Sequence, residues 1–495
     1  MAPNRKPYYD DEILEGRRLE RVQLLGVLLL VTMVIGLPVY WILEPGRQAG
    51  AVDRKHEEFV GWGEELFQTT ANGGFNCAGC HGGLNATGGQ APYAVTDPKT
   101  GEVLAFVSKP TFDPNLFVDG IDSENWAALN ESIDKPLLNR ALRGTYPPGS
   151  TYKPFMALAA LQTGKRSEKF LVSDPGFFMF GNHRFRDDKE GGHGSVDMYK
   201  SIVESCDTYY YTLARDMGVD LMHDQMKPLG FGQITGIDIL GESRGVLPST
   251  EWKRTTYKKP EQQRWYSGET ISLGIGQGYN NFTMLQIAHA MGTVANNGLK
   301  MKPHLVREVV DVETKASTLV AKEPVAQLPL LPENLEVIKK GMIGVNIEGT
   351  SATSFVGAQY VSAGKTGTAQ VFTVKQNEKY NASSIDERMR DHALFVAFAP
   401  ADDPKVALAM VVENAGFGAQ NAAPIARRVF DFVLLGQYPS EEDIEAVQKG
   451  QATRPIGKPR PVASVAWPPK TVEPVLDEAA EARAAAKADK RAKQP

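Results

Sequence analysis

Ser150 and Lys153 are a pair of residues whose types and spacing could support covalent catalysis. A serine hydroxyl is a poor nucleophile unless a base takes its proton. A lysine three residues further along a helix faces the same way, and partial burial beside the serine could lower its pKa enough to make it that base. The spacing also fits a serine N-cap followed by a solvated lysine. Catalysis is therefore predicted only if other parts of the chain supply partners.

The elements around this pair predict a buried helix that begins at the serine. A Tyr-Pro-Pro-Gly turn ends at Gly149, and residues 155–161 are strongly apolar. Pro154 falls in the first turn of this helix, where the missing N–H costs little. The sequence thus places Ser150 at the N-terminus of a core helix, with Lys153 one turn further on.

Two later motifs supply candidate partners. A Ser-x-Asp motif at residues 205–207 lies in a segment with helical character, residues 201–211, and a Lys-Thr-Gly-Thr motif at residues 365–368 lies in a predicted strand. The glycine of the second motif would let a ligand backbone approach closely. Each motif alone is equally compatible with a solvated loop. Together with Ser-x-x-Lys, and in this order, the motifs are typical of the serine acyltransferases that recognise penicillin.

The composition excludes some classes of protein. Of the 495 residues, 23% are charged and 42% hydrophobic, so most of the chain can build a core. The net charge of -5 argues against a protein that binds nucleic acid. Cys77 and Cys80 form a Cys-x-x-Cys-His run with His81, which leaves Cys206 without a disulfide partner. This pattern favours haem or metal binding over a disulfide framework.

The N-terminal part of the chain predicts a membrane anchor. Residues 1–21 are polar, and residues 22–43 form an uncharged, mostly apolar stretch that ends on Tyr40 and Trp41. The stretch is long enough to cross a bilayer as one helix, and the two aromatic residues suit the interface. A buried core helix is the alternative, but such helices are rarely apolar on every face. The excess of lysine and arginine before the span predicts a cytoplasmic N-terminus and a single-pass protein whose bulk lies outside the cytoplasm.

Residues 44–93 resemble the start of a membrane-anchored bacterial cytochrome c. In a haem c motif, Cys77 and Cys80 would form thioethers with the vinyl groups, and His81 would become an axial ligand of the iron. A reducible disulfide or half of a zinc site is the alternative. No methionine or histidine lies between His81 and Met156 to act as second axial ligand. The segment is therefore predicted to be a truncated, small helical cytochrome c-like fragment.

Residues 94–436 have the composition of one compact α/β domain. Strand, turn and strand are predicted over residues 94–107, further strands over 393–399 and 406–412, and helices over 199–217 and 283–296. Residues 437–495 are rich in proline, alanine and charge, and predict a disordered tail.

The region 94–436 resembles the transpeptidase domain of class B penicillin-binding proteins, and among them the elongation-type penicillin-binding protein 2 group. Besides the three motifs, the resemblance rests on residues 138–144, 274–279, 390–395 and 413–414. It implies an α/β fold with an antiparallel sheet, helices on both faces and a helical subdomain. It also implies a peptidoglycan D,D-transpeptidase or carboxypeptidase of cell-wall elongation and cell shape, anchored in the bacterial inner membrane with its catalytic domain on the periplasmic side.

The resemblance assigns roles to the residues of the first two motifs. Ser150 would attack the carbonyl of the penultimate D-alanine of a peptidoglycan stem peptide, with Lys153 as general base. Ser205 would relay a proton toward the departing D-alanine. Asp207 stands where many relatives have asparagine, and its charge could tune the pKa of a neighbouring lysine. An amine from another strand would then take the acyl group, whereas a β-lactam would acylate Ser150 and leave slowly.

The third motif would bind the substrate. Lys365 and the hydroxyl groups of Thr366 and Thr368 would hold the terminal carboxylate, and Gly367 would allow close approach. The backbone N–H groups of Ser150 and Thr368 would form the oxyanion hole.

Cys206 lies between two motif residues and has candidate metal-binding partners upstream. Asp174, Asp187, His193 and Cys206 are four residues of the types that ligate zinc. Their order and approximate spacing resemble the structural zinc site of the penicillin-binding protein 2 group. A small buried cysteine with solvated carboxylates is the alternative. Zinc would hold the residues on either side of Cys206 in place.

The resemblance does not extend to the N-terminal part. Members of the group have a long pedestal between the membrane helix and the transpeptidase domain, and this chain has the cytochrome-like residues 44–93 instead. Residues 91–93 are assigned to the cytochrome side, and the chain is interpreted as a chimera joined near residues 96–101.

Predicted partners are stem peptides, lipid-linked or nascent glycan, β-lactams, the membrane and an elongation glycosyltransferase, but no nucleic acid. A c-type cytochrome in electron transfer, and a β-lactamase or β-lactam sensor, are the alternative functions.

Overall fold

A computed structural model of the chain describes residues 90–371, 385–448, 451 and 453–465. In chain order, the strands of this region are β1 (Tyr93–Thr96), β2 (Val103–Val107), β3 (Val172–Asp174), β4 (Phe177–Phe180), β5 (His183–Arg186), β6 (Gly194–Val196), β7 (Leu299–Met301), β8 (Glu308–Val310), β9 (Ser317–Leu319), β10 (Pro324–Gln327), β11 (Ala363–Ala369), β12 (His392–Ala399), β13 (Val406–Val412), β14 (Gln437–Tyr438) and β15 (Arg460–Pro461).

The helices are given in the same order. They are α1 (Ser123–Glu131), α2 (Arg140–Arg143), α3 (Lys153–Gln162), α4 (Met198–Val203), α5 (Asp207–Met217), α6 (Val219–Met226), α7 (Thr250–Thr256), α8 (Pro260–Gln263), α9 (Ser267–Leu273), α10 (Met284–Ala295), α11 (Pro332–Ile347), α12 (Ala352–Phe355), α13 (Gly418–Asn421), α14 (Ala423–Leu435) and α15 (Glu441–Gln448).

Five strands form the central antiparallel sheet, in the order β11-β12-β13-β1-β2. β12 and β13 are buried along almost their whole length, as their continuous apolar sequences predict. Alternate side chains of β13 enter two cores: Ala409 and Val411 face the core that contains α10, and Leu408 and Met410 face the core that contains α14. The predicted antiparallel sheet with helices on both faces is therefore confirmed.

The core helix α3 begins where the sequence predicts. A turn of 3-10 helix, Gly149–Tyr152, runs directly into α3, with Pro154 in the first turn of α3. Every residue of α3 from Lys153 to Ala160 is buried. Because the apolar side chains surround the helix on all faces, the turn at its N-terminus is held rigidly in the interior.

The predicted helix over residues 199–217 is interrupted. α4 ends at Val203 and α5 begins at Asp207, and Ser205 between them has a left-handed backbone with φ 65°. The Ser205 carbonyl accepts a hydrogen bond from Lys153 Nζ. A tertiary contact therefore overrides the local helical pattern at the second motif.

The N-terminal boundary of the sheet domain lies earlier than predicted. Tyr93 begins β1 and pairs with Met410 of β13, and Ala91 is buried in the same core as Tyr93. The assignment of residues 91–93 to the cytochrome-like segment 44–93 is therefore wrong. The sheet needs these residues because they complete the strand beside β13.

The prediction of a disordered tail from residue 437 is wrong for residues 437–448 and 453–465. β14 pairs with β15, and α15 lies between them in the chain. Arg428 of α14 forms a buried ion pair with Asp443 of α15, with 2.6 Å between Nη2 and Oδ1. The composition of this segment did not reveal its order, because the ion pair that holds it joins residues in two different helices.

Several predicted features lie outside the described residues. These are the N-terminal segment 1–21, the span 22–43 and the haem ligands Cys77, Cys80 and His81. In the part of the chain that the structure describes, no helix has the length and apolar character needed to span a membrane. The membrane anchor and the haem site remain predictions from the sequence.

Candidate active site

Ser150 lies in the 3-10 turn at the start of α3, and this turn packs against β11. Gly149 has φ 53°, and a Cβ atom at this position would lie 2.6 Å from the Thr368 carbonyl oxygen, so only glycine fits. The Gly149 N–H donates to the Gly276 carbonyl at 3.1 Å. The turn that carries Ser150 is thus clamped between β11 and the loop that follows α9.

Lys153 lies one residue beyond this turn, and its side chain is completely buried. Its Nζ atom donates to the Ser205 carbonyl, to Ser205 Oγ at 3.2 Å and to Asp207 Oδ1 at 2.5 Å. Among the described residues, no hydrogen bond joins Lys153 Nζ to the Ser150 hydroxyl. The first two motifs are therefore connected through the Lys153 side chain.

Lys365 of β11 approaches Ser205 from the other side. Its Nζ atom is 2.8 Å from Ser205 Oγ and 3.1 Å from the carbonyl of Thr366. Ser205 Oγ consequently lies between the amino groups of Lys153 and Lys365. All three motifs meet at this hydroxyl, in an interior where water does not compete for the hydrogen bonds.

The two lysines have opposite pKa shifts. Burial lowers the pKa of Lys153, but the carboxylate of Asp207 outweighs this effect, and the net shift is upward. Burial, together with the Lys153 cation, holds the pKa of Lys365 well below its ordinary value. The expectation of a lowered pKa for Lys153 is wrong for the free protein, because the effect of Asp207, which faces this lysine, exceeds that of burial. The lysine with the lowered pKa is Lys365.

The substrate-binding candidates line β11, which is an edge strand of the sheet. Thr366 Oγ1 forms a hydrogen bond of 2.6 Å with Thr350 Oγ1, and the Thr368 carbonyl accepts one of 3.3 Å from Gln277 Nε2. A Cβ atom at Gly367 would lie 2.8 Å from the Thr151 side chain, so glycine is required for β11 to pack on the turn Gly149–Tyr152. We call this turn the nucleophile turn, after the candidate nucleophile Ser150.

Thr350 and Gln277 were not among the predicted site residues. Gln277 lies in a Gly-x-Gly-Gln-Gly run, and such closely spaced glycines indicate a loop in close backbone contact. This signal could have placed Gln277 near the site. Thr350 follows α11 without a local signal, and only the packing of the loop after α11 against β11 reveals it.

The four predicted zinc ligands lie together beside the second motif. One ligand atom from each of Asp174, Asp187, His193 and Cys206 lies within 4.8 Å of the others. Cys206 Sγ is 3.5 Å from Asp174 Oδ2 and 3.5 Å from Asp187 Oδ2. His193 Nδ1 is 3.3 Å from Asp187 Oδ1 and only 2.7 Å from Asp174 Oδ2, where the two groups form a hydrogen bond. The ligands of a tetrahedral zinc ion are roughly 3.3–3.8 Å apart.

The chemistry of this cluster also fits a cation. In the described structure, Asp187 Oδ1 is buried and makes no hydrogen bond of normal geometry, although His193 Nδ1 lies 3.3 Å from it. Burial and the neighbouring Asp187 carboxylate raise the pKa of Cys206, so a proton stays on the thiol unless a cation offsets these effects. A bound metal ion would stabilise a buried oxygen of this kind and would offset the repulsion between the neighbouring acidic groups.

Comparison with known proteins agrees with the arrangement of the motifs. The chain matches the model of the penicillin binding protein transpeptidase domain over residues 93–431. The peptidoglycan D,D-transpeptidase MrdA of Haemophilus influenzae is 43% identical over 360 residues, which are 72% of this chain and 54% of that protein. The chain spans about half the length of the curated relatives it matches.

Two solved structures share the fold. Pseudomonas aeruginosa penicillin-binding protein 2, in complex with WCK 5153, has 40% sequence identity and a TM-score of 0.63, with 72% of this chain and 76% of that chain covered. Penicillin-binding protein 2 of Helicobacter pylori, in complex with MreC, has 29% identity and a TM-score of 0.60, with 76% and 62% covered. Since the domain model accounts for more than half of the sequence and its three motifs meet at one site, the chain belongs to the penicillin-binding protein transpeptidase domain family.

Proposed function

We propose that this chain is a peptidoglycan D,D-transpeptidase that acylates Ser150 with a stem peptide ending in D-Ala-D-Ala. The observation that carries the proposal is the hydrogen-bonded series Lys153–Ser205–Lys365, which lies beside the nucleophile turn and the edge of β11. The names of the MrdA relatives support the same activity. The family relation also supports β-lactams as ligands that acylate the same serine.

The opposite pKa shifts of the two lysines suggest how Ser150 is activated. When the terminal carboxylate of the substrate binds at Lys365, the pKa of this lysine rises. The Lys153 ammonium then gives a proton to Ser205 Oγ, which passes its own hydroxyl proton to Lys365 Nζ. Lys153 becomes neutral and can act as general base, and Lys365 becomes the cation that holds the carboxylate.

The covalent steps follow from this protonation state. Lys153 takes the Ser150 proton while Ser150 Oγ attacks the carbonyl of the penultimate D-alanine. The oxyanion is held by the N–H groups of Ser150 and Thr368. When the intermediate collapses, the proton returns through Ser205 to the nitrogen of the departing D-alanine. The amine of a second stem peptide then attacks the acyl-enzyme, which forms the cross-link and frees Ser150.

We further propose that Asp174, Asp187, His193 and Cys206 hold a structural zinc ion. The ligand types and the grouping of one ligand atom from each residue within 4.8 Å of the others support it. Zinc would supply no chemical step. It would fix the position of Cys206 and thereby the backbone of its neighbours Ser205 and Asp207.

The membrane location and the assembly partners of this chain are also proposals. The apolar stretch 22–43 precedes the catalytic domain and supports a membrane anchor with this domain on the periplasmic side. The complex of Helicobacter pylori penicillin-binding protein 2 with MreC supports a place in a multiprotein cell-wall complex. Haem at Cys77, Cys80 and His81 rests on the sequence motif alone.

Labelling with a fluorescent penicillin tests the proposed function. We expect the protein in native membranes to be labelled, and Ser150→Ala to lose the label completely. Ser167→Ala, at an exposed serine, is the matched control and should be labelled like the wild type. A label that survives Ser150→Ala, or no label on the wild type, would refute the assignment. Release of D-alanine from a synthetic stem pentapeptide distinguishes turnover from mere penicillin binding.

A further inference from the structure

The loop after α9, residues 274–278, contacts both sides of the site. Its Gly276 carbonyl accepts the Gly149 N–H at 3.1 Å, and its Gln277 side chain donates to the Thr368 carbonyl at 3.3 Å. The loop therefore connects the nucleophile turn with the edge of β11. The roles proposed above for the three motifs leave Gln277 without a function.

The backbone of this loop is held on several sides. The Gln277 N–H donates to the Ser272 carbonyl at 3.0 Å, and Asn280 Nδ2 donates to the carbonyls of Leu273 at 3.1 Å and Gln277 at 3.3 Å. Gly276 has φ 73°, and a Cβ atom there would lie 2.3 Å from the Gly149 carbonyl oxygen. Since the backbone is fixed, movement at this point is left to the flexible side chain of Gln277.

The bond from Gln277 occupies a position that a bound peptide would need. Among the described residues, β11 pairs only with β12 and leaves its other edge open. The N–H and C=O of one strand residue point to the same edge, so the Thr368 N–H faces the site together with its carbonyl. In an antiparallel hydrogen-bonded pair, two opposite residues exchange both of these bonds. A peptide residue that places its carbonyl oxygen on the Thr368 N–H therefore directs its own N–H at the Thr368 carbonyl.

We propose that Gln277 is a positioning residue that occupies the Thr368 carbonyl in the free enzyme and yields it to the backbone N–H of the acyl donor. The inference rests on the proposed function, because it concerns the residue whose carbonyl Ser150 attacks. In the free enzyme, the Gln277 carboxamide makes the hydrogen bond to the Thr368 carbonyl that the backbone of a bound peptide would make. Among the described residues, the Gln277 side chain provides the hydrogen bond that the Thr368 carbonyl accepts at the open sheet edge, and at 3.3 Å this bond is long enough to be exchanged readily.

The exchange makes Gln277 a determinant of ligand selectivity. A ligand with an amide N–H beside the attacked carbonyl replaces the bond that it breaks. A ligand without this N–H has nothing to offer the Thr368 carbonyl and leaves Gln277 in place. Removal of the Gln277 carboxamide should therefore strengthen the binding of only the first type of ligand. The expected gain in affinity is about five-fold, which corresponds to one ordinary hydrogen bond that the ligand no longer has to displace.

The test compares acylation of the full chain by two β-lactams. Benzylpenicillin carries an acylamino N–H beside the lactam carbonyl, and a carbapenem carries a hydroxyethyl group instead. In Gln277→Leu we expect the acylation efficiency for benzylpenicillin to rise about five-fold relative to that for the carbapenem. The gain should lie in the dissociation constant of the first complex, while the limiting acylation rate stays the same. Gln277→Asn, whose carboxamide is too short to reach Thr368, should give the same shift.

Other results would overturn the inference. An unchanged ratio shows that the bond is not exchanged, and a parallel loss for both β-lactams shows that Gln277 only supports the loop. Thermal unfolding of each variant identifies a folding defect, and Gln277→Asn then decides the question if the leucine variant does not fold. If the wild type is acylated by neither compound, the proposed function itself fails, which is distinct from an unchanged ratio.

Discussion

Lys153 Nζ lies 2.5 Å from Asp207 Oδ1, in a buried ion pair beside the turn that carries Ser150. The aspartate stabilises the ammonium form of the lysine, whereas the proposed mechanism uses its neutral amine as the general base. In that mechanism, substrate binding has to remove the proton that Asp207 stabilises on Lys153. This relationship leads to a prediction about pH.

Asp207→Asn should shift the acylation profile toward lower pH. The proposed mechanism needs one proton shared by Lys153 and Lys365, so the ascending limb of the acylation rate follows the loss of the second proton from this pair. Asp207 raises the pKa of both lysines, so its removal should move the limb down by about one pH unit or more. The measurement is the rate of labelling by fluorescent penicillin as a function of pH. Asp224→Asn, at an exposed aspartate outside the site, should leave the profile unchanged. A limb that stays in place would show that Asp207 does not control Lys153.

Removal of zinc should destabilise the catalytic domain. A chelator should lower the melting temperature of the purified protein by several degrees, because a ligand that binds only the folded state adds its binding free energy to stability. Elemental analysis should find zinc in the untreated protein, and added zinc should restore the melting temperature where magnesium does not. Cys206→Ala should contain no zinc and should not respond to the chelator. Full penicillin labelling and normal stability without zinc would exclude this role.

Loss of the Arg428–Asp443 ion pair should destabilise the protein strongly. Both side chains are buried, so Arg428→Ala leaves the Asp443 carboxylate without its cation, at a cost of about 3–5 kcal/mol. The midpoint of denaturant unfolding measures this change. Glu251→Ala removes the exposed pair between Glu251 and Arg254, and should cost no more than about 0.5 kcal/mol. Equal effects of the two variants would show that residues 437–465 do not stabilise the domain.

His289 should make the protein less stable in mild acid. Burial, together with the nearby Lys300 cation, lowers the pKa of His289 to about 4. Between pH 6.5 and 4 the unfolded chain binds a proton that the folded protein does not, so the free energy of unfolding falls as the pH falls through this window, by about 3 kcal/mol for this residue.

His289→Gln should flatten this dependence. The glutamine amide can still donate to the Met301 carbonyl, which His289 Nε2 contacts at 2.7 Å, but it does not titrate. The unfolding free energy from denaturant titrations at several pH values checks the prediction. The same change at exposed His183 should leave the slope as in the wild type. An equally steep slope in His289→Gln would assign the acid sensitivity to other groups.

Local sequence patterns determined much of this protein. The apolar runs of β12 and β13 and the buried helix after Ser150 could be predicted, because continuous hydrophobic segments must enter a core. Three short motifs with suitable residue types marked the candidate catalytic residues, and four potential metal ligands marked the second cluster.

Other features could be determined only from the tertiary structure, because they depend on contacts between residues that are distant in the sequence. The interruption of the helix at Ser205 follows from its contact with Lys153, and the order of residues 437–448 depends on the pairing of Asp443 with Arg428. The direction of each lysine pKa shift also depends on which charges surround it, and these neighbours come from different parts of the chain. Residue types and their spacing therefore predicted which groups could react, but only the packing of distant segments decided that the pKa shifts of Lys153 and Lys365 have opposite directions.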